Sequence, residues 1–231
     1  MQHLRMPSSL GTLARVPLFA SLEPGDVRAL DYRCVWRRVS GGDWVAGEQL
    51  EGRDVYFVVS GHVHVLSGSS DRATILCDLR DGQHIGEVAA IDGNPAMIGL
   101  RAIADSVVAR MSPAVFLEAV HRYPGVSDAV LGTLAHAVRI LAKRADEHTR
   151  LHVRERLSAE LLRLSRTSAA GRLVVSPPPT HAELAARIGT NREGVTRSLK
   201  ALELEGAITR TRSAIVIFDP DTLRDVAGEG K

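Results

Sequence analysis

Arg192, Glu193 and Arg197 have the types and spacing that read nucleic-acid bases. An arginine can donate two hydrogen bonds to O6 and N7 of guanine, and a glutamate can accept one from N4 of cytosine. At helical spacing Arg192, Glu193, Thr196, Arg197 and Lys200 share one face. Val195, Leu199 and Leu202, at i, i+4 and i+7, form the apolar stripe opposite. Glu193 and Arg197 are i, i+4 neighbours and can pair. A solvated amphipathic helix with an ordinary ion pair has the same pattern, so the reading depends on the elements around it.

Those elements form a frame. Thr180 followed by Glu183 fits a capping box, with Leu184, Ala185 and Ile188 behind it at helical spacing. Gly189 supplies a tight turn, and Thr190 with Glu193 repeats the capping pattern for a second helix. Two helices joined by a glycine turn, the second carrying a basic face, predict a helix-turn-helix whose second helix enters the DNA major groove. Gly206 closes that helix. Ala207–Arg210 and Ala214–Phe218 then predict a two-stranded wing, with Arg210 and Arg212 placed for phosphates. Thr180, Asn191, Thr196 and Lys200 would position the backbone. Between residues 187 and 212 six basic residues, Arg187 among them, face three acidic ones, a modest electrostatic footprint.

The segment T-x-x-E-L-A-x-x-I-G-T-x-R-E-x-V-T-R-x-L-x-x-L-E, Thr180 to Glu203, resembles the winged helix of the cyclic-AMP receptor and fumarate–nitrate regulator (CRP/FNR) family. Arg192, Glu193 and Arg197 match that family's base-reading residues. The resemblance extends upstream. Val16-Pro17-Leu18-Phe19-Ala20-Ser21-Leu22 is similar to the segment that closes the bottom of the family's β-roll. Asp54 to Val63 resembles its central hairpin, preceded by a turn at Gly47-Glu48. Ile85-Gly86-Glu87-Val88-Ala89-Ala90-Ile91 resembles its phosphate-binding cassette. The implied effector pocket comprises Gly86, Glu87, Val88, Ala96, Met97, Leu141 and Ala142. Here the chain departs from the family. Ala96 and Met97 stand where cyclic-nucleotide binders have an Arg–Ser pair, and Leu141 and Ala142 where the cyclic-AMP receptor has hydroxyls. A buried phosphate without its guanidinium is an uncompensated charge, and Arg101 falls on the next strand. Cyclic AMP in its usual pose is therefore disfavoured. A nucleotide in another pose, an apolar ligand and a vestigial pocket stay open, and the cofactor is unknown. The cysteine set of the iron–sulfur subgroup is missing, so no iron–sulfur cluster is expected.

Residues 126 to 151 carry a helical pattern without proline, in which Leu131, Leu134, Val138, Leu141, Ala145 and His148 alternate by three and four. The resemblance makes this helix the homodimer axis. Upstream, residues 10 to 30 read as short helices with a turn at Glu23–Asp26, and residues 1 to 9 as loose. Candidate strands are Arg33–Val39, Trp44–Ala46, Val55–Ser60, His62–Ser67, Ala73–Leu79 and Ala102–Arg110, separated by glycine turns. The fold class expected is α+β: an N-terminal cyclic-nucleotide-binding-type, jelly-roll-like β-roll (1–124), a long dimerisation helix and hinge (125–152), and a C-terminal winged helix-turn-helix (153–231).

At 231 residues and a net charge of +2, overall charge says little about partners. Cys34 and Cys77 are too few for a disulfide framework and read as buried thiols. No signal peptide and no 18-residue apolar run is found, so a cytoplasmic protein without a membrane partner is expected. His148 and His152 are i, i+4; His62 and His64 alternate on one strand and could join His84. With no ligand set fixed by spacing, no metal site is assigned. No nucleophile–base constellation occurs, so no catalytic residue is named and an enzyme is not expected. The partners implied are double-stranded DNA, a second copy of the chain and, for an activator, RNA polymerase. An effector-independent DNA-binding protein and a non-DNA regulatory module are the competing readings.

Overall fold

The computed structural model describes residues 10–50, 52–67, 74–96, 98–169 and 171–227, without the side chains of 48–50 and 147–149. The expectation for residues 1 to 9, and those for Met97 and for the side chain of His148, lie outside the described residues. Contacts divide the chain into two compact units, Met1–Ala137 and Val138–Lys231.

The first unit is an antiparallel roll preceded and followed by helices. Single turns of 3-10 helix at Leu13–Arg15 and Pro17–Phe19 lead to α1 (Pro24–Asp31). Pro24 sits in the first helical turn, where its missing N–H costs nothing, so Glu23–Asp26 opens a helix and is not the expected turn. Asp31 is buried and ties this segment down: its carboxylate accepts from Leu13 N and from Thr12 Oγ1, both at 2.8 Å. Burial raises its pKa, and these two hydrogen bonds oppose the rise.

The strands are β1 (Val35–Val39), β2 (Trp44–Leu50), β3 (Val55–Ser67), β4 (Thr74–Arg80), β5 (His84–Ile85) and β6 (Ile98–Met111). They pair in the order β1-β6-β3-β4, with β2 also on β6 and β5 also on β3. Two turns expected from glycines are strand interior instead. Gly47 lies within β2. Gly61 lies within β3, which does not reverse there but continues through a register shift against β6. The reason is close approach: Gly61 has φ +114°, and a Cβ there would fall 2.2 Å from Ser106 Oγ. β5, at two residues, is too short to leave a periodic signal. Val58, Val63, Val65, Leu79, Leu100 and Val108 fill the roll. The opposite face, Val55, Phe57, Val59 and Met111, packs on Phe19 and on Phe116 of α3 (Pro113–Arg122). Phe19 therefore closes the bottom of the roll as expected.

Between β5 and β6 lies α2 (Glu87–Asp92), and after α3 comes α4 (Pro124–Arg150). α4 begins at Pro124, which again occupies the first turn rather than breaking the pattern. Val126 and Val130 are buried against the roll, and Leu134 packs partly against the same core. Leu134 thus faces inward and is not wholly part of an outer seam. Leu131, Val138 and Leu141 are 64–65% exposed, and Ala145 is exposed. Among the described residues one stretch, Pro124–Asp146, is long and apolar enough by length and composition to cross a membrane. No single run is apolar throughout, because Asp128, Thr133, His136 and Arg139 interrupt it.

In the second unit α4 gives way to α5 (Val153–Leu164), so the expected break near His152 is present. His152 N donates to Glu155 Oε2 at 2.6 Å across the start of α5. A four-stranded sheet follows in the order β7-β8-β10-β9, from β7 (Arg166–Thr167), β8 (Leu173–Val175), β9 (Ile208–Arg210) and β10 (Ile215–Ile217). The wing hairpin is the expected one, and β7, at two residues, is too short to leave a periodic signal. Between β8 and β9 run α6 (His181–Ile188) and α7 (Arg192–Leu204), and α8 (Pro220–Val226) ends the unit, N-capped by Asp219. Leu157, Leu161, Leu184, Leu199, Leu202 and Leu223 form its core, each fully buried.

Candidate nucleic-acid interface

Two capping arrangements set the angle between α6 and α7. At α6, Thr180 N donates to Glu183 Oε2 at 2.7 Å and Glu183 N donates to Thr180 Oγ1 at 3.2 Å, the reciprocal box expected. Gly189 closes α6 in the left-handed region with φ 62°, as a turn glycine should. The start of α7 differs from expectation. The cap is Asn191, whose Oδ1 accepts from Gly194 N at 2.7 Å, while Thr190 contributes its backbone N–H to Ala185 O. Asn caps at least as well as Thr, and the one-residue shift makes Arg192 the first helical residue. Val195, Leu199 and Leu202 are fully buried, as their spacing implies.

The opposite face is open. Asn191, Arg192, Glu193, Thr196, Arg197 and Lys200 are exposed. Among the described residues no ion pair joins Glu193 to Arg197, so the expected mutual support is absent and both side chains project freely. Arg212 at the wing tip is exposed as well. The positive end of the α7 dipole lies beneath Arg192 and Glu193, which favours an anionic partner at this end.

Two basic residues prove committed elsewhere. Arg187 has a side chain only 7% exposed that lies 3.5 Å from Glu160 Oε1 on α5, so it does not belong to the exposed footprint. Arg210 is half-buried. Its Nη2 donates to Glu203 Oε2 at 2.6 Å, and its Nη1 lies 3.2 Å from His181 Nε2. This hydrogen bond raises the Arg210 pKa and lowers that of Glu203. Arg210 therefore braces the wing against α7 before it can meet a phosphate.

Sequence reasoning missed His181. Its Nδ1 is 2.8 Å from Thr196 Oγ1, and Thr196 Oγ1 donates to Arg192 O at 2.9 Å. Because the threonine proton is spent on that carbonyl, Nδ1–H of His181 is the donor and Nε2 accepts from Arg210. One chain of bonds thus runs from Glu203 through Arg210, His181 and Thr196 to the first turn of α7. Burial, followed by the charges of Arg210 and Arg192, lowers the His181 pKa and keeps the ring neutral. No spacing rule reveals such a link, since its members come from α6, α7 and the wing.

The described residues expected at an effector pocket fall at α2, just before β6 and on α4. Gly86 N-caps α2 with φ 104°, where a Cβ would fall 2.3 Å from Asp54 O, and Glu87 follows it, buried. Burial raises the Glu87 pKa, and its Oε2 has no hydrogen-bond partner among the described residues. Val88 points outward, 54% exposed, so it does not line an interior site. Ala96 is half-buried, its N donating to Gly52 O at 3.1 Å. Leu141 and Ala142 lie on α4, both exposed.

The thiols of Cys34 and Cys77 are half-buried, and burial pushes the Cys34 pKa up to about 12. His84 does not join His62 and His64. It stacks near Phe57, 5.8 Å between ring centres, and burial lowers its pKa to about 4.

Comparison with known proteins agrees with this architecture. The family model of the cyclic nucleotide-binding domain matches residues 36–123, and that of the Crp-like helix-turn-helix domain matches residues 155–226. The chain is 28% identical over 216 residues to the cyclic AMP receptor protein of Thermus thermophilus, covering 91% of this chain and 96% of that one. It is 25% identical over 215 residues, with the same coverage, to the CRP-like cAMP-activated global transcriptional regulator of Mycobacterium tuberculosis. The solved structure of a CooA mutant from Carboxydothermus hydrogenoformans superposes with a TM-score of 0.75 over 91% of this chain and 94% of that one, at 18% identity. Lysophospholipase nte1 of Aspergillus oryzae also matches, at 26% identity, but the chain spans only 9% of its length. With both characteristic domains matched in order, the chain belongs to the CRP/FNR family of DNA-binding transcription regulators.

Proposed function

We propose that this regulator binds an inverted-repeat operator as a homodimer, presenting two copies of α7 about 34 Å apart, one turn of duplex. Arg192, Glu193 and Arg197 read base edges; Asn191, Lys200 and Arg212 hold the DNA backbone, while Thr180 and Thr196, whose hydroxyl protons are engaged within the chain, support α6 and α7. The observation that carries the reading is the open face of α7: among the described residues, neither guanidinium nor the carboxylate is engaged in an ion pair within the chain. The dimer rests on the exposed stripe Leu131, Val138 and Leu141, an apolar row on one helix that water covers at a cost until a second copy does so. Residues 1–124 serve as the sensing domain, 125–152 as dimer axis and hinge, and 153–231 as the DNA reader in the cytoplasm. RNA polymerase is the partner when the protein activates.

The effector is a ligand other than cyclic AMP in its usual pose. Ala96 stands where a phosphate would need a guanidinium. The unpartnered Glu87 Oε2 favours an occupied pocket over a vestigial one, since an orphaned buried acceptor costs about 1–3 kcal/mol. Such a ligand acts only through unequal affinity for the DNA-competent and incompetent states. Random-site selection with the full-length protein tests the core of this reading. Recovery of an inverted repeat with half-sites one turn apart supports it, and recovery of no common sequence rejects it. Repeating the operator titration with cyclic nucleotides tests the effector: a large affinity gain with cyclic AMP would reject its exclusion.

A further inference from the structure

β3 carries a second constellation, separate from the residues expected to hold an effector and from the reading face. His62 and His64 alternate on that strand and share a face, and β4 sets Asp78 directly across from His64. The two imidazoles converge on one oxygen: His62 Nε2 is 2.9 Å and His64 Nε2 3.1 Å from Asp78 Oδ1. The rings stand edge to face with centres 5.3 Å apart. One ligand atom from each of the three residues lies within 4.8 Å of the others. The side chains are 19%, 8% and 16% exposed, so the group is largely shielded and still reachable from solvent.

We propose that His62, His64 and Asp78 bind one divalent transition-metal ion of the Zn2+ class. Two imidazoles and a carboxylate form a donor set that such ions prefer over Mg2+ or Ca2+, which favour oxygen. Three protein ligands with a fourth position left to water make an open site. The geometry is close to what is required. Tetrahedral bonds of about 2.0–2.1 Å place neighbouring donors roughly 3.3 Å apart, and the His–Asp separations here need to open by only a few tenths of an ångström. With its ring proton on Nδ1, each histidine would offer the ion the Nε2 lone pair that faces Asp78. Two guanidinium-bearing residues face the histidines across the ladder, Arg80 opposite His62 and Arg101 opposite His64. Arg101 is drawn away from the group: its Nε donates to Gly42 O at 2.9 Å and its guanidinium lies over Trp44. The ion would clip β3 to β4 inside the sensing domain and join metal supply to the stability of the roll.

The test is a titration of chelator-stripped, full-length protein with Co2+ followed by visible absorption, then displacement by Zn2+ followed by calorimetry. His62→Gln and Asp78→Asn are run beside the wild type, with circular dichroism as the check on folding. The expected result is one ion per chain with a d–d band. Each variant should bind more than about 100-fold more weakly, beyond the 10–100-fold that loss of a supporting residue costs. Metal should raise the melting temperature of the wild type alone. Absence of binding by the wild type, or equal binding by folded His62→Gln, overturns the proposal; His62 is the more exposed histidine, so that variant decides should Asp78→Asn fail to fold.

Discussion

Which side chain starts the recognition helix decides where Arg192 and Glu193 point, and it can be measured. Asn191 Oδ1 takes the Gly194 N–H at 2.7 Å, and Gly194 is buried, so removing the acceptor leaves a donor with little access to water. Asn191→Ala should cost about 1 kcal/mol, within the 0.5–2 kcal/mol seen for lost caps. In a unit of the size of Val138–Lys231, that corresponds to roughly 4–8 °C in melting temperature. Thr190→Ala removes a hydroxyl that caps nothing and should stay within about 0.5 kcal/mol. Scanning calorimetry of the full-length protein, following the transition of the second unit, separates the two. The same Asn191→Ala change should weaken operator binding more than Thr190→Ala, because it loosens the turn carrying Arg192. A larger loss from Thr190→Ala than from Asn191→Ala would refute this capping and restore the register read from the T-x-x-E pattern.

Other consequences are equally specific. The folded-state pKa values of His181 and Glu203 are both lowered, so each binds fewer protons than the unfolded chain and each loses stabilisation on acidification. For His181 the loss begins as pH falls through its ordinary value of 6.5 and for Glu203 near 4.5. Denaturant midpoints of the second unit should therefore fall between pH 7.5 and 5.5, and His181→Gln should flatten that slope; an unchanged slope counts against the bond chain. Gly61→Ala should destabilise the roll by at least about 1–3 kcal/mol of backbone strain, since φ is +114° and the new Cβ meets Ser106. A urea midpoint within error of the wild type would refute the close approach.

Much of this was legible in the residues because it rests on local rules. The Thr180–Glu183 box, the Gly189 turn and the stripe Val195, Leu199, Leu202 each depend on neighbours within four positions, and each is found where the spacing placed it. The failures are equally physical. A proline after a turn-like residue reads as a break, but at Pro24 and Pro124 it begins a helix, because a first-turn residue needs no N–H donor. Gly61 reads as a hairpin turn, yet it is required by the strand beside it. Arg187 and Arg210 count as surface charge in the sequence; Glu160 and Glu203, remote or on another element, hold them in place. Asp78 completes the histidine pair only because β4 folds back on β3, whereas His84, nearer in type, lies beside Phe57 instead. Contacts between elements leave no mark in periodicity, and they are where the bracing of α7 by Arg210 and the convergence of His62, His64 and Asp78 both arise.

The most direct measurement is base preference with and without the first guanidinium of α7. On a selected operator, the wild type should lose about 1–3 kcal/mol when one contacted G·C pair per half-site is replaced. Arg192→Ala should bind the parent operator that much more weakly and no longer distinguish the two sequences. Full affinity in the variant together with an intact preference at every base pair would contradict the assignment of α7 as the reading element.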